Sequence, residues 1–271
     1  TSEEFINLGG NELYDLNDVD RETCGLPGSS GGTFWINQIA IDETVFLFSK
    51  NDNKFNYLAP NLFYTNYTLG FHTSWTGDDA LLNLYEDGDL RKEVYFARLF
   101  KLGGTRLRPE YFSGQALPMK SDRYLSTSEG EARECWRRPE GYLNLAEAYA
   151  RKETGVSQTA IGWLNQLRVK KISRDTYQAK NVSDFASRED LIQFIWEERR
   201  RELCFEEAMR FWDMRRQGMP EVKHEFYSSM TSSKTFVLKQ GSPNYLLPIP
   251  LSETEYNDGM TNNSRETIVG N

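Results

Sequence analysis

Residues 187–216, SREDLIQFIWEERRRELCFEEAMRFWDMRR, carry the strongest helical pattern of the chain. Ser187 and Asp190 form a near capping box, with Asp where Glu or Gln is usual, and this predicts the start of a helix. At about 100° per residue, Glu198 and Glu202 fall on the same stripe as the apolar side chains. Two carboxylates are therefore predicted to face the core, beside Leu191, Ile195, Phe205 and Met209.

Arginine supplies all the cations of this stretch, which holds seven Arg, eight acidic residues and no Lys. A planar guanidinium can hold a carboxylate through two parallel hydrogen bonds, so Arg suits buried ion pairs. One interpretation places Glu198 and Glu202 in a structural lattice of ion pairs. The other makes them the acid and base of a glycoside hydrolase. The sequence favours the lattice, because residues at i and i+4 face the same way about 6 Å apart, whereas glycosidase carboxylates flank a bond.

Two further helices are predicted upstream of this stretch. Pro139 suits a first helical turn, and apolar residues then recur at helical spacing until Gly155. Ser157 can cap a second helix, which ends at the basic cluster RVKK, residues 168–171. The short connection predicts that the two helices pack as an antiparallel hairpin. Residues 245–250, YLLPIP, are predicted to be extended, because no helix accommodates both prolines.

Residues 1–136 differ from the rest of the chain in composition and in sequence pattern. They contain Gly-rich turns, such as residues 25–32 and 103–104, and few long helical patterns. We therefore expect a mainly α fold with long irregular loops and little β structure. Residues 1–136 are predicted to be a loop-rich part that faces ligand or partner, and residues 137–271 a helical framework with an extended tail, since binding residues tend to lie on loops held by a rigid scaffold.

Composition excludes several classes of function. Forty acidic and 32 basic residues give a net charge of -8, which would repel a phosphate backbone, so we expect no nucleic-acid ligand. The three Cys form no C-x-x-C pair and the two His are isolated, so we expect neither a metal site nor a cofactor. No window approaches the roughly 18 apolar residues that a membrane-spanning helix needs.

Four motifs occur in the order found in the SusD/RagB family. Residues 137–148, RRPEGYLNLAEA, place an Arg and then a Glu three residues on before Tyr-Leu-Asn and Ala-Glu-Ala. Residues 164–168, LNQLR, resemble the family's Leu-Asn-x-x-Arg. Residues 198–206 and 210–216 resemble its Glu-Arg-x-x-Glu-Leu-x-x-Glu and Arg-x-x-Asp-Leu-x-Arg block. Residues 247–257, which begin LPIP, resemble its C-terminal signature.

The resemblance implies a SusD-like helical framework and a nutrient-binding lipoprotein with no catalytic residue, exposed at the surface of the outer membrane. It implies capture of a glycan, or in some members a peptide, for a SusC-like TonB-dependent transporter. Family members are typically longer and begin with a lipidated Cys. Cys24 follows no apolar signal run, so we expect this chain to be a C-terminal half and the lipid anchor to lie in a part that it does not contain.

Charged residues in the shared motifs are expected to form a structural ion-pair network. Glu198 and Glu202 should each pair with an Arg, and Arg137, Arg168 and Arg210 are the leading candidates. The predicted members of the network are Arg137, Glu140, Arg168, Glu198, Arg199, Glu202, Arg210 and Asp213.

Ligand residues are sought in the loop-rich part, because sugar rings stack on exposed aromatic faces while their hydroxyls bind polar side chains. The candidates are Trp35, Tyr64, Asn66, Tyr67, Trp75 and Asp78. Each aromatic could instead anchor a long loop on a small apolar cluster. Two alternative functions remain open from the sequence: a glycoside hydrolase with paired carboxylates, and a helical-repeat scaffold that binds only protein.

Overall fold

The structure is a computed structural model, and it divides the chain into two compact units, Thr1–Glu207 and Ala208–Asn271. Within the described residues, no helix is both long and apolar enough to cross a membrane. The functional division at residues 136 and 137 stays a prediction. The structure describes residues 3–4, 13–18, 43–50, 79–97, 100–102, 105–107, 117–118, 131–204, 206, 209–229 and 232–271.

Helices dominate the described parts of the chain, which confirms the predicted mainly α fold. In chain order they are α1 (Asp79–Leu82), α2 (Arg91–Val94), α3 (Arg138–Lys152), α4 (Gln158–Arg168), α5 (Arg188–Glu202), α6 (Met209–Arg216) and α7 (Leu251–Glu255). Single 3-10 turns lie at Leu16–Asp18, Val182–Asp184 and Pro243–Tyr245.

Strands are short and occur in antiparallel pairs. They are β1 (Thr44–Lys50), β2 (Phe96–Ala97), β3 (Phe100–Leu102), β4 (Thr105–Leu107), β5 (Leu117–Pro118), β6 (Glu131–Arg137), β7 (Val222–Ser229) and β8 (Ser232–Leu238). The pairs are β1 with β6, β2 with β5, β3 with β4, and β7 with β8. The β1–β6 register places Thr44 opposite Arg137, so the strand delivers the chain directly to the start of α3.

The helical hairpin predicted upstream of residue 187 is confirmed as α3 and α4. Pro139 lies in the first turn of α3, and the Ser157 Oγ accepts a hydrogen bond from the Ala160 amide at 3.0 Å at the start of α4. The predicted cap of α5 is also present, because Ser187 Oγ accepts from the Asp190 amide at 3.1 Å. The inner faces of these helices bury Leu143, Ala146, Ile161, Leu164, Leu191 and Ile195.

The prediction that one helical stripe continues from α5 to Met209 is wrong, and Phe205 lies outside the described residues. Helix α5 ends at Glu202, and α6 begins at Met209. A tertiary contact lies at this end: the Tyr85 hydroxyl donates to the Arg201 carbonyl at 2.9 Å, an acceptor that a continued helix would also use. The local pattern contains no sign of this competition.

A backbone clip fixes the segment that precedes α2. The Leu90 amide donates to the Lys171 carbonyl at 3.0 Å, and the Ser173 amide donates to the Gly88 carbonyl at 2.8 Å. Gly88 has a φ of +81°, and a Cβ there would lie 1.9 Å from Thr176 Oγ1, so the turn requires glycine. The clip holds α2 beside the C-terminal end of α4.

The second unit holds the β7–β8 hairpin and the C-terminal tail. The predicted extended segment begins one residue later than expected, because Tyr245 closes a 3-10 turn and donates to the Pro220 carbonyl. The tail then turns back on itself: the Asn262 side chain accepts from the Ile249 amide and donates to its carbonyl, both at 2.9 Å. The side-chain amides of Asn262 and Asn263 thus bind the backbone of Ile249 and Leu247 in place of a partner strand.

Candidate functional site

The six residues predicted to bind ligand lie outside the described residues. They are Trp35, Tyr64, Asn66, Tyr67, Trp75 and Asp78. What the structure describes in detail is the charged cluster built around α5.

Arg91 is the centre of a buried lattice of ion pairs in the first unit. Its guanidinium binds both oxygens of Asp89, with Nη2 donating to Oδ2 at 2.6 Å and Nε donating to Oδ1 at 2.9 Å. Nη1 donates to Glu198 Oε1 at 2.7 Å and to Glu202 Oε2 at 3.3 Å. All four side chains are 0% exposed. We use the name buried lattice for these residues and the Arg, Lys and Glu side chains that join them below.

Glu198 receives two more arginines besides Arg91. Arg201 reaches its Oε2 through Nη2 at 2.7 Å, and Arg168 reaches the same atom through Nη1 at 3.1 Å. Burial alone would raise the pKa of Glu198, but the charges of Arg91, Arg201 and Arg168 hold this pKa well below its usual value. Glu198 is therefore an ionised carboxylate whose charge is neutralised by its neighbours.

Glu202 connects the lattice to β6. Arg137 Nη2 donates to Glu202 Oε1 at 3.1 Å, and the Tyr95 hydroxyl donates to the same oxygen at 3.0 Å. Arg137 also binds Glu43 and, through Nη2, Glu206 Oε1 at 2.5 Å. Burial alone would lower the pKa of Arg137, but these three carboxylates raise it well above its usual value.

Lys171 joins the lattice through Glu43. Its Nζ donates to Glu43 Oε1 at 2.5 Å and to the Tyr14 carbonyl at 3.2 Å, and its side chain is fully buried. Glu43 thereby bridges the Lys171 ammonium and the Arg137 guanidinium. The lattice ties together segments from residue 43 to residue 206, which makes it a device that holds distant parts of the first unit in register.

Several members of the predicted network therefore meet in the structure. Arg168 pairs with Glu198, and Arg137 pairs with Glu202. Arg199 lies on another face of α5, where it donates to Asn144 Oδ1 at 2.9 Å. Glu140 lies in the first turn of α3, Arg210 and Asp213 lie on α6 in the second unit, and Asp213 pairs with Arg216 at 3.2 Å.

Sequence reasoning missed the centre of the lattice. Arg91 and Asp89 lie in a short segment with no helical periodicity, and 107 residues separate Arg91 from Glu198. The one indication in the sequence was that two carboxylates on α5 were predicted to face the core and would therefore require cationic partners. The sequence also did not indicate Glu43, Lys171, Arg201 and Glu206, nor Glu86, which pairs with Arg168, nor the Tyr95 hydroxyl that binds Glu202.

The geometry argues against Glu198 and Glu202 as the catalytic pair of a glycosidase. Such a pair needs a substrate bond between its carboxyl groups and one group that carries a proton. Both side chains are 0% exposed, and the depressed pKa leaves Glu198 without a proton to donate. The described ranges also hold no group of three metal-ligating side chains.

Comparison with known proteins gives a consistent result. The sequence model of the SusD family matches residues 120–265. No curated protein matches the chain. Among solved structures, a SusD superfamily protein from Parabacteroides distasonis is 20% identical with a TM-score of 0.61, over 97% of this chain and 55% of that one.

Two further solved structures share the fold. A SusD-like carbohydrate binding protein from Bacteroides vulgatus is 20% identical with a TM-score of 0.57, over 96% of this chain and 54% of that one. The surface glycan-binding protein A from Bacteroides uniformis is 14% identical with a TM-score of 0.56, over 97% and 55%.

The chain spans little more than half the length of these solved relatives. The family match covers the motif block and most of the C-terminal tail, and the paired motif arginines and glutamates lie in the core of the described fold. The chain belongs to the SusD family.

Proposed function

We propose that this protein captures an oligosaccharide or polysaccharide at the bacterial cell surface, without cleaving it, and delivers it to a TonB-dependent outer-membrane transporter. Membership of the SusD family is the observation that carries this proposal. The names of two structural relatives, a SusD-like carbohydrate binding protein and a surface glycan-binding protein, agree with it.

The buried lattice supports the non-catalytic part of the proposal. Its acidic side chains are used for pairing with Arg and Lys in the interior, so they are not presented to a substrate. We propose that residues 137–271 serve chiefly as framework, while affinity resides mainly in the loop-rich residues 1–136 and in a part of the longer protein outside this chain. Trp35, Tyr64, Asn66, Tyr67, Trp75 and Asp78 remain the proposed ligand residues.

Trp75 is the residue on which the glycan proposal is tested. If the indole stacks on a sugar in a desolvated site, Trp75→Ala should weaken binding by about 2 kcal/mol, roughly thirtyfold in affinity, with little change in melting temperature. The ligand is first found with a panel of plant, host and microbial polysaccharides in affinity gels, and its binding is then measured by calorimetric titration.

Tyr256→Ala is the matched control, because Tyr256 is 90% exposed and should change neither binding nor melting. A large drop in the melting temperature of Trp75→Ala would show that Trp75 is a core residue. If no polysaccharide is retained by the wild-type chain or by the full-length protein, the glycan proposal is wrong.

The transporter and the cell location form a separate part of the proposal. We propose a SusC-like TonB-dependent transporter as the partner and a lipid anchor, in a part outside this chain, as the attachment to the outer membrane. Purification of the full-length protein from detergent-solubilised outer membranes should bring the transporter with it. Recovery of the protein from the soluble fraction, without any outer-membrane protein, would contradict this part.

A further inference from the structure

Helix α6 carries a group of two aromatic rings and one guanidinium, in which Trp212 is exposed and Phe211 and Arg215 are partly buried. The rings of Phe211 and Trp212 meet edge to face with centroids 5.2 Å apart. The Arg215 guanidinium lies over both, 5.7 Å from the Phe211 centroid and 5.5 Å from the Trp212 centroid. Trp212 is 50% exposed.

The same helix has an internal ion pair and a defined C-terminal end. Asp213 is 8% exposed and pairs with Arg216, and the Met219 amide donates to the Met214 carbonyl at 2.8 Å where Gly218 ends the helix with a φ of +90°. Asp213 and Arg216 are the positions shared with the family motif Arg-x-x-Asp-Leu-x-Arg. Trp212 and Arg215 stand at positions that this motif leaves unspecified, so the family resemblance assigns them no role.

Arg151 and Trp196 show what normally completes such an arrangement. The Arg151 guanidinium lies 5.7 Å from the Trp196 ring centroid, and its Nη2 donates to Glu147 Oε1 at 2.8 Å. The ring takes the face of the guanidinium, and a carboxylate takes its N–H edge. The same combination recurs for Arg91 with Tyr85 and Asp89, and for Arg168 and Arg201 with Phe194 and Glu198.

Arg215 contacts two aromatic rings but no carboxylate among the described residues. Within the described part of the chain its guanidinium contacts Phe211 and Trp212 and makes no hydrogen bond or ion pair. The planar N–H edge therefore stays available, beside an indole that is half exposed. A ligand that carries an apolar ring face and a carboxylate would satisfy both groups together.

We propose that Trp212 and Arg215 bind a uronate residue of an acidic glycan, with the sugar ring stacked on the indole and its carboxylate held by the guanidinium. The inference rests on the proposed function and specifies further that the glycan is anionic. A sugar fits better than a protein partner, because this group offers three side chains on one helix, whereas a stable protein interface needs about 800 Å² from each partner.

The test is calorimetric titration of the full chain at low ionic strength with trigalacturonate and with the neutral trisaccharide maltotriose. The wild-type protein should bind trigalacturonate more tightly than maltotriose. Arg215→Gln should weaken trigalacturonate about tenfold and leave maltotriose unchanged, because it removes a charge-assisted hydrogen-bond pair. Trp212→Ala should weaken both sugars.

Arg151→Gln is the matched control, because Arg151 also stacks on a Trp but already has its carboxylate, and it should bind as the wild type does. A thermal melt of each variant separates loss of binding from loss of fold. Wild-type affinity for trigalacturonate in folded Arg215→Gln would overturn the inference.

The inference and the proposed function fail in different ways. Retention of neutral glycans alone by the wild-type chain would overturn the acidic-glycan site and leave glycan capture intact. If no sugar binds, both are wrong. Binding of an oligoglutamate peptide that is lost in Arg215→Gln, with no trigalacturonate binding, would assign this helix to a protein partner instead.

Discussion

The buried lattice and the exposed face of α6 are built from the same residue types and differ in one component. In the lattice, the Arg91 guanidinium contacts an aromatic ring and three carboxylates of its own chain, and it is 0% exposed. On α6, Arg215 contacts two rings, and the chain supplies no described carboxylate for it. Arg91, with its counter-charges in the chain, stabilises the fold, whereas Arg215, for which the described residues supply none, is the arginine that we propose for recognition.

Of the changes to the buried lattice, removal of Glu198 is expected to lower the stability of the protein most. Glu198→Ala leaves Arg91, Arg168 and Arg201 without their shared carboxylate in the interior. We expect a loss of about 4 kcal/mol in the free energy of unfolding, because an uncompensated buried charge is costly. Urea unfolding measures it, with the neighbouring Glu197→Ala expected to stay within about 0.5 kcal/mol of the wild type.

Glu202→Ala should cost somewhat less, about 3 kcal/mol in the free energy of unfolding, because it frees Arg137 and part of Arg91. Both carboxylates contact Arg91, so the loss in the double variant with Glu198→Ala should fall short of the sum of the two single losses. The same urea titrations test this. Wild-type stability of Glu202→Ala, or strict additivity, would show that the two carboxylates do not act through one network.

Gly88→Ala tests the clip that positions α2 and therefore Arg91. We expect a loss of about 2 kcal/mol in the free energy of unfolding, part from the left-handed backbone and part from the approach to Thr176. Gly155→Ala is the control, because Gly155 has a φ of +75° with nothing within 4 Å of the added Cβ, and it should cost about 1 kcal/mol. Equal losses at the two glycines would mean that the contact with Thr176 contributes nothing to the loss of stability.

Acid should weaken the lattice by protonating Glu198. Its pKa is depressed in the folded state, so its contribution to stability is fully present above the unfolded value near 4.5 and is lost as the pH falls from there towards the folded pKa. The effect should be smaller than that of truncation, because the oxygen atoms remain. The free energy of unfolding, measured from pH 6 to pH 3, should fall less steeply in Glu198→Gln than in the wild type.

The sequence predicted those parts of the fold that depend on local patterns. The caps at Ser157 and Ser187, the α3–α4 hairpin and the inward direction of Glu198 all follow from spacing along one helix. The centre of the lattice does not, because Arg91 lies on a single helical turn and meets α5 only through tertiary packing. The end of α5 at Glu202 was hidden for the same reason.

The candidate ligand face on α6 was missed for a different reason. Phe211, Trp212 and Arg215 share the helical spacing of core residues and of ion pairs, and the sequence alone gives no measure of exposure. A pattern shows which residues lie on one face of a helix. Whether that face is covered, and whether an arginine finds a carboxylate, depends on chain segments that no local pattern identifies.

The central claim is that the paired glutamates hold the fold and do not act on the ligand. It is tested most directly by measuring reducing ends in a long incubation of the wild-type protein with a polysaccharide that it binds. We predict retention of the polysaccharide with no release of reducing ends above the protein-free control. Release that disappears in Glu198→Gln, below the melting temperature of that variant, would contradict the claim.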